Sequence, residues 1–190
     1  MTIFLILAPY GAFTTLMLVT SAVVSLFAAA AVCLMVIAHD ILRRRSIKML
    51  GAGSVILFAA IGSYLTLVDS GLSSSAVKLT VDAGVLAISL ASLVLRQPFT
   101  LQYAREVVDA ETAKLPGFLR ANYVITWAWT AAFLLMLLAN VLMIYAPGLP
   151  LWSGLAIAFA ARNTAAYFTK WYPKHRRAKF AASAASAGVR

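Results

Sequence analysis

Five long apolar stretches constrain this chain more than any other feature. Each is close to the ~20 residues that an α-helix needs to cross the hydrocarbon of a bilayer. The chain has 190 residues, of which 63% are hydrophobic and 12% charged, too apolar a composition for a soluble domain of this size. The sequence therefore predicts an all-α, polytopic membrane protein with five transmembrane helices. The predicted spans are Thr14 to Ala38, Met49 to Val68, Ala76 to Leu95, Tyr123 to Tyr145 and Leu151 to Phe168.

The Lys and Arg residues outside these spans all lie on one side of the predicted topology. The first and third linkers and the segment after the fifth span are basic, whereas Asp69 to Ser75 and Ala146 to Pro150 carry no Lys or Arg. By the positive-inside rule the basic linkers face the cytoplasm. We therefore expect a bacterial inner (plasma) membrane protein with its N-terminus outside and its C-terminus inside. The net charge of +10 then serves orientation and contact with anionic lipid headgroups, and no nucleic-acid partner is expected.

The apolar sequence from Ile3 to Ala38 is too long for one span. We expect a break at Ala8 to Gly11, because Pro9 removes a hydrogen-bond donor and a glycine follows it. Residues Ile3 to Phe13 then form a short outer-leaflet or re-entrant segment. The alternative is a sixth crossing, made of two helices of about 17 residues with almost no turn between them. Residues 1–180 are expected to form a single bundle, followed by a flexible Ala/Ser-rich tail over 181–190.

The longest linker, between the third and fourth spans, contains an amphipathic pattern. Phe99, Tyr103, Val107 and Ala110 recur every four residues, which predicts a helix over 99–110 lying along the cytoplasmic membrane surface. Arg105 and Asp109 are spaced to form an ion pair on this helix. The alternatives are a docking surface or a lid over a cavity that faces the cytoplasm. The candidate interaction surface comprises Arg96, Phe99, Gln102, Tyr103, Arg105 and Glu106.

Several polar residues fall inside the predicted spans, where an unpaired charge costs ~2.5 to 3.5 kcal/mol on insertion scales. Asp82 can be paired by Lys78, four residues earlier on the same helix, or by Arg162 across the bundle. Three interpretations remain open, namely an interhelical clamp, a polar cavity for an ion, proton or lipid headgroup, and a catalytic site. The candidate intramembrane polar site comprises Lys78, Asp82, Asn140, Arg162 and Asn163.

Other signatures of chemistry are missing from the sequence. His39 and His175 lie in basic flanks, without the His, Cys or carboxylate spacing of a metal site. No catalytic residue, cofactor or metal is therefore predicted. The small residues at Gly51, Gly53 and Gly62 are interpreted as sites of close helix packing.

The order of several short motifs resembles the bacterial intracellular septation protein A family. Members have an early Pro, a basic first cytoplasmic loop, a Lys-x-Thr motif opening the third span, a Lys/Arg-x-Pro loop entry and a Trp-rich fourth span. The corresponding parts here are Pro9, Arg43 to Arg45, Lys78-Leu-Thr80, Arg96-Gln-Pro98 and Trp127 with Trp129, supported by Leu115-Pro-Gly-Phe118, Asn122 and Ala139-Asn140. The chain departs from the pattern in a longer Glu106 to Lys114 segment and in Phe99 to Tyr103, which also fits a related group of small multi-span membrane proteins. The resemblance implies a role in cell-envelope integrity and division.

Three functions follow from these observations. The first is a non-enzymatic envelope protein that acts through membrane-protein partners or lipid. The second is a small transporter or lipid-handling protein that uses Asp82 and Arg162. The third is a membrane enzyme acting on a lipid-linked substrate. Whether the chain forms a homo-oligomer stays open.

Overall fold

The computed structural model describes residues 2–69, 71–146, 148 and 150–187. Every element of secondary structure in these residues is a helix, as predicted. In chain order the helices are α1 Thr2–Leu16, α2 Ala22–Leu42, α3 Met49–Leu67, α4 Ser74–Val94, α5 Phe99–Ala104, α6 Ala110–Lys114, α7 Pro116–Tyr145 and α8 Leu151–Ala187. The tail residues 181–187 thus continue α8, whereas residues 188–190 of the predicted flexible tail lie outside the described part.

Four of the described helices, α2, α3, α4 and α7, are long and apolar enough to cross a membrane. Their outer surfaces carry exposed large apolar side chains, which suits contact with lipid rather than water. Examples are Leu34, Met35, Ile56, Leu135 and Leu138. The fold is therefore compatible with a multi-pass membrane protein, and a fifth crossing by α8 stays a prediction.

The break in the N-terminal apolar segment lies later than predicted. Helix α1 runs without interruption through Pro9 and Gly11 and ends at Leu16. The chain breaks before Ser21, whose hydroxyl accepts a hydrogen bond from the Val24 N–H at 3.3 Å and so caps α2. A serine N-cap satisfies a backbone donor that the new helix would otherwise leave open, and it therefore defines the helix start here.

Helix α1 lies beside α2 and α3 and begins at the end of the bundle that carries the basic linkers. Pro9 lines a small pocket with Leu50, near the start of α3, whereas Phe13 packs against Phe58 further along α3. Between them, the Tyr10 hydroxyl lies 2.5 Å from the Ser54 hydroxyl. The sequence placed the segment Ile3 to Phe13 at the end opposite the basic linkers, and this prediction is wrong. The start of α1 and the end of α8 lie at the same end of the bundle, which differs from the predicted separation of the two termini.

Close approach of α2, α3 and α4 depends on glycines, as the sequence indicated for Gly53 and Gly62. A Cβ at Gly53 would lie 2.9 Å from the Ile88 side chain, and one at Gly62 would lie 3.1 Å from the Phe27 ring. Gly84 on α4 is tighter still, because an added Cβ would lie 2.2 Å from the Leu57 side chain. Small residues of this kind let helix backbones approach in lipid, where the hydrophobic effect does not drive association.

Two helices end in the same left-handed turn with an arginine where glycine is usual. Arg44 follows α2 with φ 55°, and Arg96 follows α4 with φ 56°. In each turn the next N–H reaches back to the helix, from Arg45 to the Asp40 carbonyl at 2.8 Å and from Gln97 to the Ser92 carbonyl at 2.9 Å. This is the Schellman arrangement, which reverses the chain direction sharply. The turn at Arg96, followed by Pro98, directs α5 across the basic-linker end of the bundle.

Helix α5 is shorter and more buried than the predicted amphipathic helix over 99–110. It ends at Ala104, and a separate short helix, α6, begins at Ala110. Phe99 and Leu101 are buried in the bundle, whereas Val107 is 71% exposed. The predicted ion pair of Arg105 with Asp109 does not form, because the Asp109 carboxylate accepts the Thr112 N–H at 2.7 Å and caps α6. The four-residue spacing therefore does not correspond to one continuous helix, because the Asp109 cap starts a new helix within it.

Candidate functional site

A large cavity lies at the basic-linker end of the bundle, with a volume of about 660 Å³. Its wall is formed by α5, the segment through α6, the first half of α7 and the last part of α8, with contributions from Tyr10 and Leu50. Most lining side chains are aromatic or aliphatic, and they include Phe99, Phe118, Ile125, Trp129 and Phe133. Sites that bury a drug-sized ligand measure roughly 300 to 1,000 Å³, so the cavity is large enough to hold a small molecule.

The deep part of the cavity is an aromatic cluster held in place by hydrogen bonds. The Trp129 ring lies 5.8 Å from the Phe133 ring, which lies 6.3 Å from the Phe99 ring, centroid to centroid. The Trp129 indole N–H donates to the Thr169 hydroxyl on α8 at 2.9 Å. This hydrogen bond fixes the ring and ties α8 to α7. An indole N–H that is buried needs such a partner.

Three polar side chains along the wall, Thr100, Asn122 and Thr169, have their hydrogen bonds inside the protein. The Thr100 hydroxyl donates to the Asn122 carbonyl at 3.0 Å and lies 2.6 Å from the Thr126 hydroxyl. The Asn122 amide donates to the Phe118 carbonyl at 2.9 Å. The Thr169 hydroxyl, besides accepting from Trp129, donates to the Ala165 carbonyl at 2.8 Å. The cavity therefore presents a largely apolar surface despite these residue types.

A buried cluster of charges stands next to the cavity and joins three segments. The Lys48 ammonium lies 2.6 Å from the Asp40 carboxylate and 2.7 Å from the Glu106 carboxylate. Arg45 adds a weaker contact, 3.7 Å from Glu106 and 4.0 Å from Asp40. Two cations then face two carboxylates, so the cluster is close to neutral. Pairing of this kind offsets the cost of removing each charge from water.

Tyr103 and Gln102 extend this cluster and fasten α5 to the start of α3. The Lys48 ammonium lies 5.5 Å from the centre of the Tyr103 ring, a cation–π distance. The Met49 N–H, at the first residue of α3, donates to the Gln102 side-chain carbonyl at 2.6 Å. Burial raises the pKa of the Tyr103 hydroxyl above its usual value, and the neighbouring acidic groups act in the same direction. The Tyr103 hydroxyl makes no hydrogen bond with another described residue, and this side chain also lines the large cavity.

Most residues of the predicted interaction surface are therefore not exposed. Arg96 and Arg105 are exposed, as expected of a surface. Phe99 is buried, and Gln102, Tyr103 and Glu106 are turned toward α2 and α3. The linker thus forms part of the wall of the large cavity, and a docking surface or a lid stays a prediction.

The intramembrane polar residues come together only in part. The Asn140 amide on α7 donates to the Asp82 carboxylate on α4. Among the described ion pairs none joins Asp82 to Lys78 or Arg162. Arg162 is half-buried on α8, and the exposed Asn163 amide donates to the Phe159 carbonyl of its own helix at 2.7 Å. The contact partner of Asp82 that the fold provides is thus an amide of the neighbouring helix, and its dependence on Lys78 or Arg162 stays a prediction.

Sequence reasoning missed the importance of Asp40 and Lys48. The chain has six acidic residues, and one of them, Asp40, is the single acid of the first linker, among Arg43, Arg44, Arg45 and Lys48. An isolated acid within a basic segment was the signal for a specific ion pair. In the described part of the chain no three His, Cys, Asp or Glu side chains are grouped so as to hold a metal ion.

Comparisons with known protein families, with characterised proteins and with solved structures found no match. What defines this protein is therefore its own architecture, a bundle of apolar helices with a cavity at one end. The resemblance to the septation protein family is neither supported nor contradicted by these comparisons.

Proposed function

We propose that this is an inner-membrane protein that binds the hydrocarbon chain of a lipid-like molecule in the cavity between α5, α7 and α8. The observation that carries the proposal is the cavity of about 660 Å³ with its aromatic and aliphatic wall. An open apolar space of this size is unfavourable unless something fills it, because its lining loses contacts that a packed interior would make. A hydrocarbon chain restores those contacts.

The chemistry of the wall favours an apolar occupant over a polar one. Thr100, Asn122 and Thr169 direct their hydrogen bonds to protein groups rather than into the cavity. A polar ligand would therefore lose its hydrogen bonds to water and regain few. A hydrocarbon chain has none to lose, and each methylene that enters from water contributes about 0.8 kcal/mol.

The cluster of Lys48, Asp40 and Glu106 supports this proposal by holding the cavity open. It anchors the segment after α5 to the ends of α2 and α3, while the Thr100 hydroxyl anchors α5 to α7. A neutral, internally paired cluster is suited to a structural role rather than to carrying an ion. The cavity wall is thus built on fixed elements.

The basic linkers support a cytoplasmic position for the cavity. By the positive-inside rule, the end that carries Arg43 to Arg45 and the α8 cations faces the cytoplasm. The cavity would then open near the inner surface of a bacterial inner membrane, where lipid headgroups meet water. In this arrangement a chain can enter from either the leaflet or the cytoplasm.

The proposed function agrees with the predicted lipid-handling role but assigns it to the large cavity rather than to Asp82 and Arg162. Asp82, Asn140 and Arg162 do not line the cavity, and none of the described ion pairs joins Arg162 to Asp82. An interhelical clamp is the interpretation that their contacts support. The role in cell-envelope integrity and division, action through membrane-protein partners, an enzymatic activity on a lipid-linked substrate and homo-oligomer formation stay predictions.

The test is to fill the cavity without changing the rest of the fold. Ala121 is half-buried on α7 and lines the cavity, so Ala121→Phe places a ring inside it. Ala131→Phe makes the same change at an exposed position of the same helix and is the matched control. Native mass spectrometry after extraction in a mild detergent should find a retained lipid-like molecule on the wild type and on Ala131→Phe, and little on Ala121→Phe. Equal retention by all three proteins, or none by the wild type, would contradict the proposal.

A further inference from the structure

The mouth of the cavity is positively charged. Its lining includes Arg176 and Arg177 on α8 and, among the described residues, no Asp or Glu. Thr169, which contacts the deep Trp129 ring, lies on the same helix. At 1.5 Å per residue, Arg177 stands about 12 Å further along α8. The cavity thus has an apolar deep end and a cationic mouth.

The Arg177 guanidinium is available for a ligand. It is exposed and makes no hydrogen bond or ion pair with another described residue. The acids on the segment between α5 and α7 do not pair with it: Glu106 contacts Lys48 at 2.7 Å, the Asp109 carboxylate accepts the Thr112 N–H at 2.7 Å, and none of the described ion pairs joins Glu111 to Arg177. An unpaired guanidinium with its planar set of donors matches a carboxylate or phosphate.

Selectivity between lipid-like ligands at this site has to come from contacts with their polar headgroups. Lipid tails are as apolar as the aromatic and aliphatic side chains of the wall, so a chain that moves from the bilayer into the cavity gains little from the hydrophobic effect. Discrimination between ligands with the same chain must therefore come from the polar end. At this mouth the polar end meets the Arg177 guanidinium, and the described lining holds no carboxylate.

We infer that the ligand is an anionic amphiphile, whose carboxylate or phosphate contacts Arg177 and whose single hydrocarbon chain points toward Trp129 and Phe133. This inference rests on the proposed function, since it assumes that the cavity binds a chain. Arg177 is then the residue that determines headgroup specificity. The other cations of α8 contribute a general attraction to anionic surfaces, which is not specific to this ligand.

The experiment compares ligands that share one acyl chain and differ in headgroup. The probes are a fatty acid, lysophosphatidic acid, zwitterionic lysophosphatidylcholine and an uncharged monoacylglycerol, each added to delipidated protein in phosphatidylcholine nanodiscs. We expect at least one of the two anions to bind about tenfold more tightly than the zwitterionic and uncharged probes, as one charge-assisted contact would give. Preference for the fatty acid, for lysophosphatidic acid or for both then identifies the anionic group.

Two variants separate a specific contact from general surface charge. Arg177→Gln should remove most of the preference for anions while binding of the uncharged probe is unchanged. Lys174→Gln lies on the same helix, removes the same charge and does not line the cavity, so it should keep the preference. Equal loss in both variants, or equal binding of all four probes by the wild type, would overturn the inference and leave the proposed function standing. If no probe binds, the proposed function fails with it.

Discussion

The Lys48 ammonium lies 2.7 Å from the Glu106 carboxylate and joins the start of α3 to the segment that follows α5. Both side chains are largely buried, with 4% of Lys48 and 14% of Glu106 exposed. Neither buried oxygen of Glu106 accepts a hydrogen bond within the described residues, so the carboxylate depends on the charges of Lys48 and Arg45. The wall of the cavity therefore depends on this ion pair.

Removing the cation alone should be more damaging than removing both partners. Lys48→Met leaves two buried carboxylates, Asp40 and Glu106, with only the longer contacts to Arg45, and should cost about 3 to 5 kcal/mol of unfolding free energy. The double variant Lys48→Met with Glu106→Gln leaves one fewer stranded charge and should cost less than Lys48→Met alone. The measurement is thermal unfolding in detergent across the double-mutant cycle. Strictly additive effects would show that the two side chains are not coupled.

The Asp82 carboxylate should depend on Asn140 rather than on Arg162. Asn140→Leu removes the amide that donates to it and should destabilise the bundle by about 1 to 3 kcal/mol, the cost of leaving a buried acceptor without its donor. Asp82→Leu with Asn140→Leu should restore part of that loss. Arg162→Leu is the comparison. We expect it to change the unfolding free energy by the same amount in the wild type and in the Asp82→Leu variant. Coupling of Arg162 to Asp82 in this cycle would favour the original prediction of an ion pair.

Arg96 should be replaceable by glycine with a gain in stability. Its φ of 56° lies in the left-handed region, which costs a residue with a side chain roughly 1 kcal/mol and costs glycine little. Arg96→Gly and the equivalent Arg44→Gly should therefore raise the unfolding temperature. Arg43→Gly is the control, because Arg43 has φ −86° in the same basic run and gains nothing from the change. A lower unfolding temperature for Arg96→Gly would show that its side chain makes a contact outweighing the strain.

Tyr103 should contribute a loss of stability at high pH. Burial raises the pKa of its hydroxyl in the folded protein above the value of about 10 that it has in an unfolded chain. Between these two values the folded state holds a proton that the unfolded state has released, so stability falls as pH rises above about 10. Tyr103→Phe should show a shallower fall than the wild type, measured as unfolding temperature against pH. Tyr145→Phe, at an exposed position, is the control, and identical curves for wild type and Tyr103→Phe would contradict the prediction.

The helices that cross the bundle were predictable because their signals are local. Three of the predicted spans agree with α3, α4 and the end of α7 to within about two residues, since apolar runs bounded by charged or turn residues define them. Helix α7 begins earlier than predicted, at Pro116, because proline suits the first turn of a helix and no later residue breaks it. At the N-terminus the predicted break at Pro9 is absent, and the cap at Ser21 defines where α2 starts.

The candidate site could not be predicted in the same way, because it depends on contacts between distant segments. Lys48, Asp40 and Glu106 come from the ends of different helices, and nothing in their spacing shows that they meet. Similarly, Phe99 and Trp129 form one aromatic cluster only because the Schellman turn at Arg96 directs α5 beneath α7. The sequence indicated a linker of unusual pattern at this place, and the fold shows that Phe99 and Leu101 of this linker face inward.

The central claim is that a hydrocarbon chain occupies the cavity, and an experimental structure in native membrane lipid tests it most directly. We predict an elongated density that extends from Arg177 toward the rings of Trp129 and Phe133, in the wild type and in Ala131→Phe but not in Ala121→Phe. A wild-type cavity filled by water or closed by rearranged side chains, in a map that resolves lipid chains elsewhere around the bundle, would contradict the account.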